Sequence, residues 1–216
     1  LGGDLAYKIE VLDIFPNGKW AIASFFDQER ILLYNIDNQK VKQYLGLGEA
    51  RGLQFLSDNN SFVAALNNGR IIEYDILQKK ERLLYKNERA ISALAFHGAS
   101  SHLAIADEEG HLILGKLEGE FRSQKIHEAA ITALRFSKDG RLLLTASADQ
   151  SAKLWSVNKE KELNLLYTLQ GHQSAVTQIG FDEEERVVFT VADQIRTWKL
   201  PIILPENTFA SSSSTS

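Results

Sequence analysis

Apolar and polar residues alternate along most of the chain in short runs, and the runs return in a fixed order. The segment 131–136, ITALRF, aligns with 91–96, ISALAF, and 176–181, VTQIGF, and more loosely with 50–55, ARGLQF, and 9–14, IEVLDI. The last residues of these five copies, Ile14, Phe55, Phe96, Phe136 and Phe181, stand 40 to 45 residues apart. After each copy comes a turn such as 16–18, 57–60 or 137–140, where Gly, Asn and Asp accept the backbone angles a hairpin needs. A second apolar run rich in small residues follows at 20–25, 62–66, 103–106, 142–146 and 187–192. A third ends in Tyr34, Tyr74, Gly115, Trp155 and Trp198, and a more polar fourth precedes the next copy. The period-2 pattern predicts strands throughout, and a helical period is almost absent.

Four strands per period of about 40 to 45 residues is the unit of a β-propeller, so the chain is expected to be all-β. The expectation is five blades of four antiparallel strands, at about 9–46, 47–87, 88–127, 128–171 and 172–204, making one domain over 1–204. Residues 205–216 read as a Ser-rich flexible tail.

The fourth and fifth copies resemble WD40 repeats, in which a Gly-His pair, an apolar strand, an Asp turn and a Trp recur in order. In the fifth, Gly171 and His172 precede 176–181, and Thr190, Asp193 and Trp198 follow. The fourth has His127 without the Gly, then Thr145 or Ser147, Asp149 and Trp155. The resemblance implies a buried structural hydrogen-bond network made by His127, Thr145, Asp149 and Trp155, and by His172, Thr190, Asp193 and Trp198. An unpaired buried imidazole costs roughly 1 to 3 kcal/mol, so an Asp and a hydroxyl within reach make it a specific clamp. The first three copies carry Tyr34, Tyr74 and Gly115 where the others have Trp, and no His at the matching place. The shorter Asp193-to-Trp198 step predicts a tight or bulged turn in the fifth copy.

Family propellers often have seven blades, which need about 280 to 315 residues. A C-terminal portion of such a ring and a compact five-bladed ring are the two architectures considered. Leu5 falls where His172 lies in the fifth copy, so 1–8 cover only the loop before the first strand. The fifth blade is then expected to take its outer strand from 201–209, to stay open, or to pair outside the chain.

Lys and Arg total 24 against 28 Asp and Glu, and no long basic run exists to neutralise a phosphate backbone, so nucleic acid is not an expected partner. The mixed-sign stretches 78–82 and 159–162 read as solvated hairpin ends. Cysteine is absent, which excludes disulfides and thiolate chemistry but leaves the compartment open; a soluble cytoplasmic protein is the expectation. No apolar run reaches the roughly 18 residues of a membrane helix, and no membrane partner is expected. Methionine is also absent and the first residue is Leu1, so the chain reads as a piece of something longer.

Gly46, Gly48 and Gly52 have phosphate-loop character only superficially, because their spacing is GxGxxxG and a strand follows where a helix is required. His97, His102 and His111, with Asp107, Glu108 and Glu109, are spread over separate turns by the repeat alignment and read as solvated hairpin ends, not a metal site. Glu183, Glu184 and Glu185 fall on one hairpin turn, and Trp20, Trp155 and Trp198 read as core. No catalytic residue, cofactor or metal is expected.

The resemblance therefore implies a non-catalytic platform for protein interaction or sensing, within a larger signalling or regulatory polypeptide or complex. Its partner would be a protein or another domain of the same polypeptide, met by loops on one face. Arg51, Asn68, Arg89, Glu108, Glu128 and Gln173 are the candidate contacts, since the alignment puts different side chains at similar places. The alternative is a propeller-fold hydrolase or lyase with a polar site at the central channel.

Overall fold

The alternating runs fold into nineteen strands in a computed structural model that describes residues 8–15, 17–25, 29–58, 60–158 and 162–200. The first sheet is β1 (Ile9–Ile14), β2 (Trp20–Phe25), β3 (Ile31–Asn35) and β4 (Lys40–Leu45). The second is β5 (Ala50–Phe55), β6 (Ser61–Leu66), β7 (Arg70–Asp75) and β8 (Lys80–Lys86). The third is β9 (Ile91–His97), β10 (His102–Asp107), β11 (His111–Lys116) and β12 (Arg122–Lys125). The fourth is β13 (Ile131–Phe136), β14 (Leu142–Ser147), β15 (Ala152–Val157) and β16 (Leu163–Leu169), and the fifth is β17 (Gln178–Phe181), β18 (Val187–Val191) and β19 (Ile195–Lys199). Each sheet is an antiparallel meander in chain order, as all-β propeller blades are.

The fifth sheet has three strands among the described residues. Pro201, which brings no N–H to a ladder, follows directly after Leu200. The outer strand sought in 201–209, the tail 205–216, the loop 1–7 and residues 159–161 of the mixed stretch lie outside the described residues.

Consecutive sheets face one another, and the apolar side chains of each junction form one core. Ile22 and Leu33 of the first sheet meet Leu53 and Phe55 of the second, where the Phe15 and Phe55 rings stack at 3.5 Å. Val63 and Ile71 meet Leu103 and Ile113, Ala104 and Leu112 meet Leu143 and Trp155, and Leu144 and Leu154 meet Ile179 and Val188. The second strands are the most deeply enclosed, with every residue of β6 and β10 buried, which explains their small side chains.

Inner strands are also joined by hydrogen bonds. Phe55 N donates to Asp13 Oδ2 at 2.7 Å, Phe96 N to Gln54 Oε1 at 2.8 Å, and Ser92 Oγ to the Ile131 carbonyl at 2.6 Å. Thr132 Oγ1 bonds the Val176 carbonyl in the same way.

Repeated backbone bonds define the two ends of the sheets. At one end Asn67, Glu108 and Ala148, each in a turn between second and third strands, donate to the carbonyls of Glu49, Ala90 and Ala130 in the loops that enter the sheet. At the other end Ile36, Ile76, Leu117, Val157 and Leu200 donate to Lys19, Asn60, Ser101, Arg141 and Arg186. The entering loops and the second-to-third turns therefore share one face.

Candidate functional site

On that face the fourth sheet holds its entering loop with a relay of buried polar groups. Trp155 Nε1 donates to Thr145 Oγ1 at 3.1 Å, Thr145 Oγ1 lies 2.8 Å from His127 Nε2, and His127 Nδ1 lies 2.8 Å from Asp149 Oδ2. A carboxylate only accepts, so the proton belongs on Nδ1, and Nε2 receives the threonine hydroxyl. Ser151 Oγ and N add bonds of 2.6 and 3.0 Å to Asp149 Oδ1, and Glu128 N reaches Oδ2 at 3.1 Å.

In the fifth sheet Trp198 Nε1 donates to Thr190 Oγ1 at 3.0 Å, Thr190 is 2.7 Å from His172 Nε2, and His172 Nδ1 is 3.1 Å from Asp193. The turn before β19 is closed by Ala192 N on the Gln194 carbonyl and carries no counterpart of Ser151; the Asp193 side chain is 33% exposed against 14% for Asp149. The shorter turn leaves this relay thinner.

Burial pushes the His127 imidazole down, against the raising pull of the Asp149 carboxylate. Burial also opposes ionisation of Asp149, yet the hydrogen bonds from Ser151 and His127 outweigh it and bring that carboxyl to about 2. Both groups have folded values below their unfolded ones, so both contribute stability that is lost as the pH falls. The unfolding free energy from denaturant titrations is expected to drop first below about pH 6.5, as the unfolded His127 takes up a proton the buried ring resists. It drops again between about pH 4 and 2, by about 1 to 2 kcal/mol once partial exposure of Asp149 is allowed for. Asp149→Asn is expected to make the second drop smaller by the Asp149 share, leaving the part carried by Asp139 and Asp193.

The third sheet has a network of its own. Asn87 stands four residues before Ile91, as His127 stands four before Ile131, and it is buried. Its Nδ2 reaches the Arg89 carbonyl at 3.2 Å and Asp107 Oδ2 at 3.4 Å. Asp107 Oδ1 accepts from Glu109 N, His111 N and His111 Nδ1 at 3.0, 2.9 and 3.2 Å. The expected solvated hairpin end is thus incorrect for Asp107, whose side chain is wholly buried, and for His102, which is also buried.

His97 and His102 converge elsewhere, on Ser100 Oγ at 2.7 and 2.8 Å, so the histidines of this copy serve two separate clusters. Among the described residues no three His, Asp or Glu side chains are grouped as a metal would need. Glu183, Glu184 and Glu185 lie on the turn between β17 and β18, and Trp20 is half-buried against the first core with Lys42 Nζ 4.6 Å from its ring centre.

The candidate contact residues divide. Asn68, Glu108, Glu128 and Gln173 are exposed on the loop face. Arg89 is half-buried there and paired with Glu109 at 2.6 Å. Arg51 belongs to strand β5 and not to a turn, and it bridges Glu10 at 2.8 Å and Glu49 at 3.1 Å. On the inner strands the polar groups Asp13 and Gln54 are engaged by neighbouring backbone N–H groups, and burial pushes the Asp13 carboxyl up.

Residues 119–156 and 163–195 match the model of the WD domain, G-beta repeat. The chain is 32% identical over 98 residues to the Denticleless protein homolog of Danio rerio, covering 44% of this chain and 15% of that protein. It is 38% identical over 66 residues to Periodic tryptophan protein 2 of Saccharomyces cerevisiae, covering 31% of this chain and 7% of that protein. It is 38% identical over 72 residues to Eukaryotic translation initiation factor 3 subunit I of Drosophila virilis, covering 33% of this chain and 21% of that protein. The matches thus span between 7% and 21% of these relatives' length.

Proposed function

We propose that this chain, whose residues 119–156 and 163–195 are WD40 repeats, is a non-catalytic platform for protein partners within a larger signalling or regulatory polypeptide or complex of the cytoplasm. The observation that carries this reading is the loop face. Its loops are fixed from beneath by the His127 and His172 relays, while the side chains at their tips, Asn68, Glu108, Glu128 and Gln173, differ from sheet to sheet and meet solvent. A rigid base with varied exposed tips is the arrangement in which loops serve recognition.

The buried groups of the two relays, from Trp155 to Asp149 and from Trp198 to Asp193, are engaged with one another, which supports a structural role for them. A relative whose name makes it a subunit of a translation initiation factor fits the same role. Blade boundaries near 46, 87, 127 and 171 belong to this reading, as does the absence of nucleic-acid and membrane partners. Glu88, Glu108 and Glu128 are exposed on this face, whereas Arg51 is paired with Glu10 and Glu49 and Arg89 with Glu109, so a partner with basic groups is favoured.

The test is affinity capture with the chain and with a Glu108→Lys, Glu128→Lys, Gln173→Ala variant of equal melting temperature. Proteins captured by the chain are expected to be lost with the variant and weakened by salt. Capture that ignores all three changes would overturn the reading.

A further inference from the structure

Two neighbouring junctions use matching positions at their outer rims and finish differently. Between the second and third sheets, Tyr85 stands opposite Ile71, and its ring meets that of Phe121 at 5.4 Å. Arg82 stands opposite Glu73, bonds that carboxylate at 2.9 Å and reaches Glu118, in the loop before β12, at 2.8 Å. Two rings and a pair of carboxylates around one guanidinium close that rim.

Between the third and fourth sheets the same places hold Gln124, opposite Leu112, and Arg122, opposite Leu114. A leucine thus stands where Glu73 stands beside Arg82, and a glutamine where Tyr85 fills the rim. The rim stays open as a cleft of about 570 Å³ between β12 and β16, with Leu112 and Leu114 at its floor, Arg122 and Gln124 on one wall and Leu163 on the other. Leu163 and Leu165 stand opposite Val157 and Trp155, which belong to the core shared with the third sheet, so Leu165, 49% exposed, continues the apolar wall. Glu162 also lines the cleft, but its carboxylate is held by Asn158 Nδ2 at 2.9 Å. Among the described residues no carboxylate bonds Arg122, and β12 is the edge strand of its sheet with every residue exposed.

We infer that this cleft takes an extended segment of a partner protein in which an acidic side chain adjoins an apolar one, the apolar group lying on Leu163 and Leu165 and the carboxylate on Arg122. Arg82 shows what a guanidinium at this position accepts, since the chain itself supplies it with Glu73 and Glu118. Arg122 has the same station without them, and an arriving carboxylate restores the charge-assisted pair. The extended form follows from β12, whose unpaired edge offers main-chain donors and acceptors to an added strand. The cleft opens on the rim toward the end where Val157 N bonds the Arg141 carbonyl, away from the loop face, and it asks for the opposite charge in its partner. The two surfaces therefore stand or fall separately.

The experiment is selection of random dodecapeptides displayed on phage against the whole chain, with the affinities of the enriched peptides then read by fluorescence polarisation. Enriched peptides are expected to carry Asp or Glu beside Leu, Ile or Phe, and to bind Arg122→Glu at least about tenfold more weakly. Exchanging their acidic residue for Lys should restore binding to Arg122→Glu. Gln124→Tyr, which puts into the cleft the side chain that closes the neighbouring rim, should weaken them likewise. The Glu108→Lys, Glu128→Lys, Gln173→Ala variant should bind them as the unaltered chain does. Arg122→Gln replaces Arg122→Glu if the latter loses the circular dichroism of β-sheet. Selection that enriches no acidic and apolar pair, peptides indifferent to both Arg122→Glu and Gln124→Tyr, or Lys peptides that Arg122→Glu does not recover would each overturn the inference. Peptides lost only with the triple variant would overturn it too, while leaving the loop-face reading intact.

Discussion

Gly110→Ala is expected to lower the unfolding free energy by about 3 to 4 kcal/mol, read from urea denaturation. Gly110 has φ +87°, and a Cβ there would lie 2.2 Å from the His127 carbonyl oxygen and 2.8 Å from that of Ala129. Both neighbours are backbone, so neither can swing aside as a long side chain does. Retreat of the loop would break the bonds from Ile126 N and His127 N to the Gly110 carbonyl, at 3.0 and 3.1 Å, and drag His127 from its relay. Gly18→Ala is the control. Gly18 has φ +71° with nothing within 4 Å of its added Cβ, so only the left-handed strain of about 1 kcal/mol is expected. Similar losses at the two positions would show that backbone strain, and not the crowded loop, limits Gly110.

Asp149→Ala is expected to cost about 3 kcal/mol by the same measurement. The carboxylate ends the relay from Trp155 through Thr145 to His127 and also receives Glu128 N and Ser151. Truncation leaves the buried His127 Nδ1–H without its acceptor, and the loss is that desolvation cost added to the missing bonds. Asp193→Ala should cost less, because Asp193 is more exposed and has no serine beside it. The groups of one relay act together, so Asp149→Ala combined with Thr145→Val should fall short of the sum of the two single losses. Full additivity would mean that the contacts are independent.

The strand order was legible from the repeated apolar run alone, because strand alternation with Gly, Asn and Asp turns leaves little latitude in register. The fourth and fifth relays were legible because His, Asp and Trp are rare enough at fixed spacing to stand out. Asn87 and Asp107 were not. An Asn in the His place and an Asp supplied from the end of β10, with no Thr on that strand, preserve the geometry of a locked loop and discard its signature.

Gly115 shows the same limit. It replaces Trp155 in the alignment, and the Phe121 ring from the following loop lies over it, so close that a Cβ on Gly115 would sit 2.3 Å from the ring. Bulk that one copy draws from within the strand, another borrows from outside it. The length of the fifth sheet was beyond reach for another reason, since residues 201–209 offer apolar side chains interrupted by Pro201 and Pro205.

The meander order of every sheet bears on how the molecule comes apart. Among the described residues no strand pairs with one from another sheet, so each sheet is assembled from neighbours in sequence and meets the rest through its flanks. Such a chain behaves as a row of coupled units whose cooperativity is carried by the junctions. Amide exchange should be slowest in β6, β10 and β14, enclosed on both sides, and should quicken toward β1 and β19, where opening one sheet sacrifices a single junction instead of two. Unravelling would then begin at the ends and travel inward.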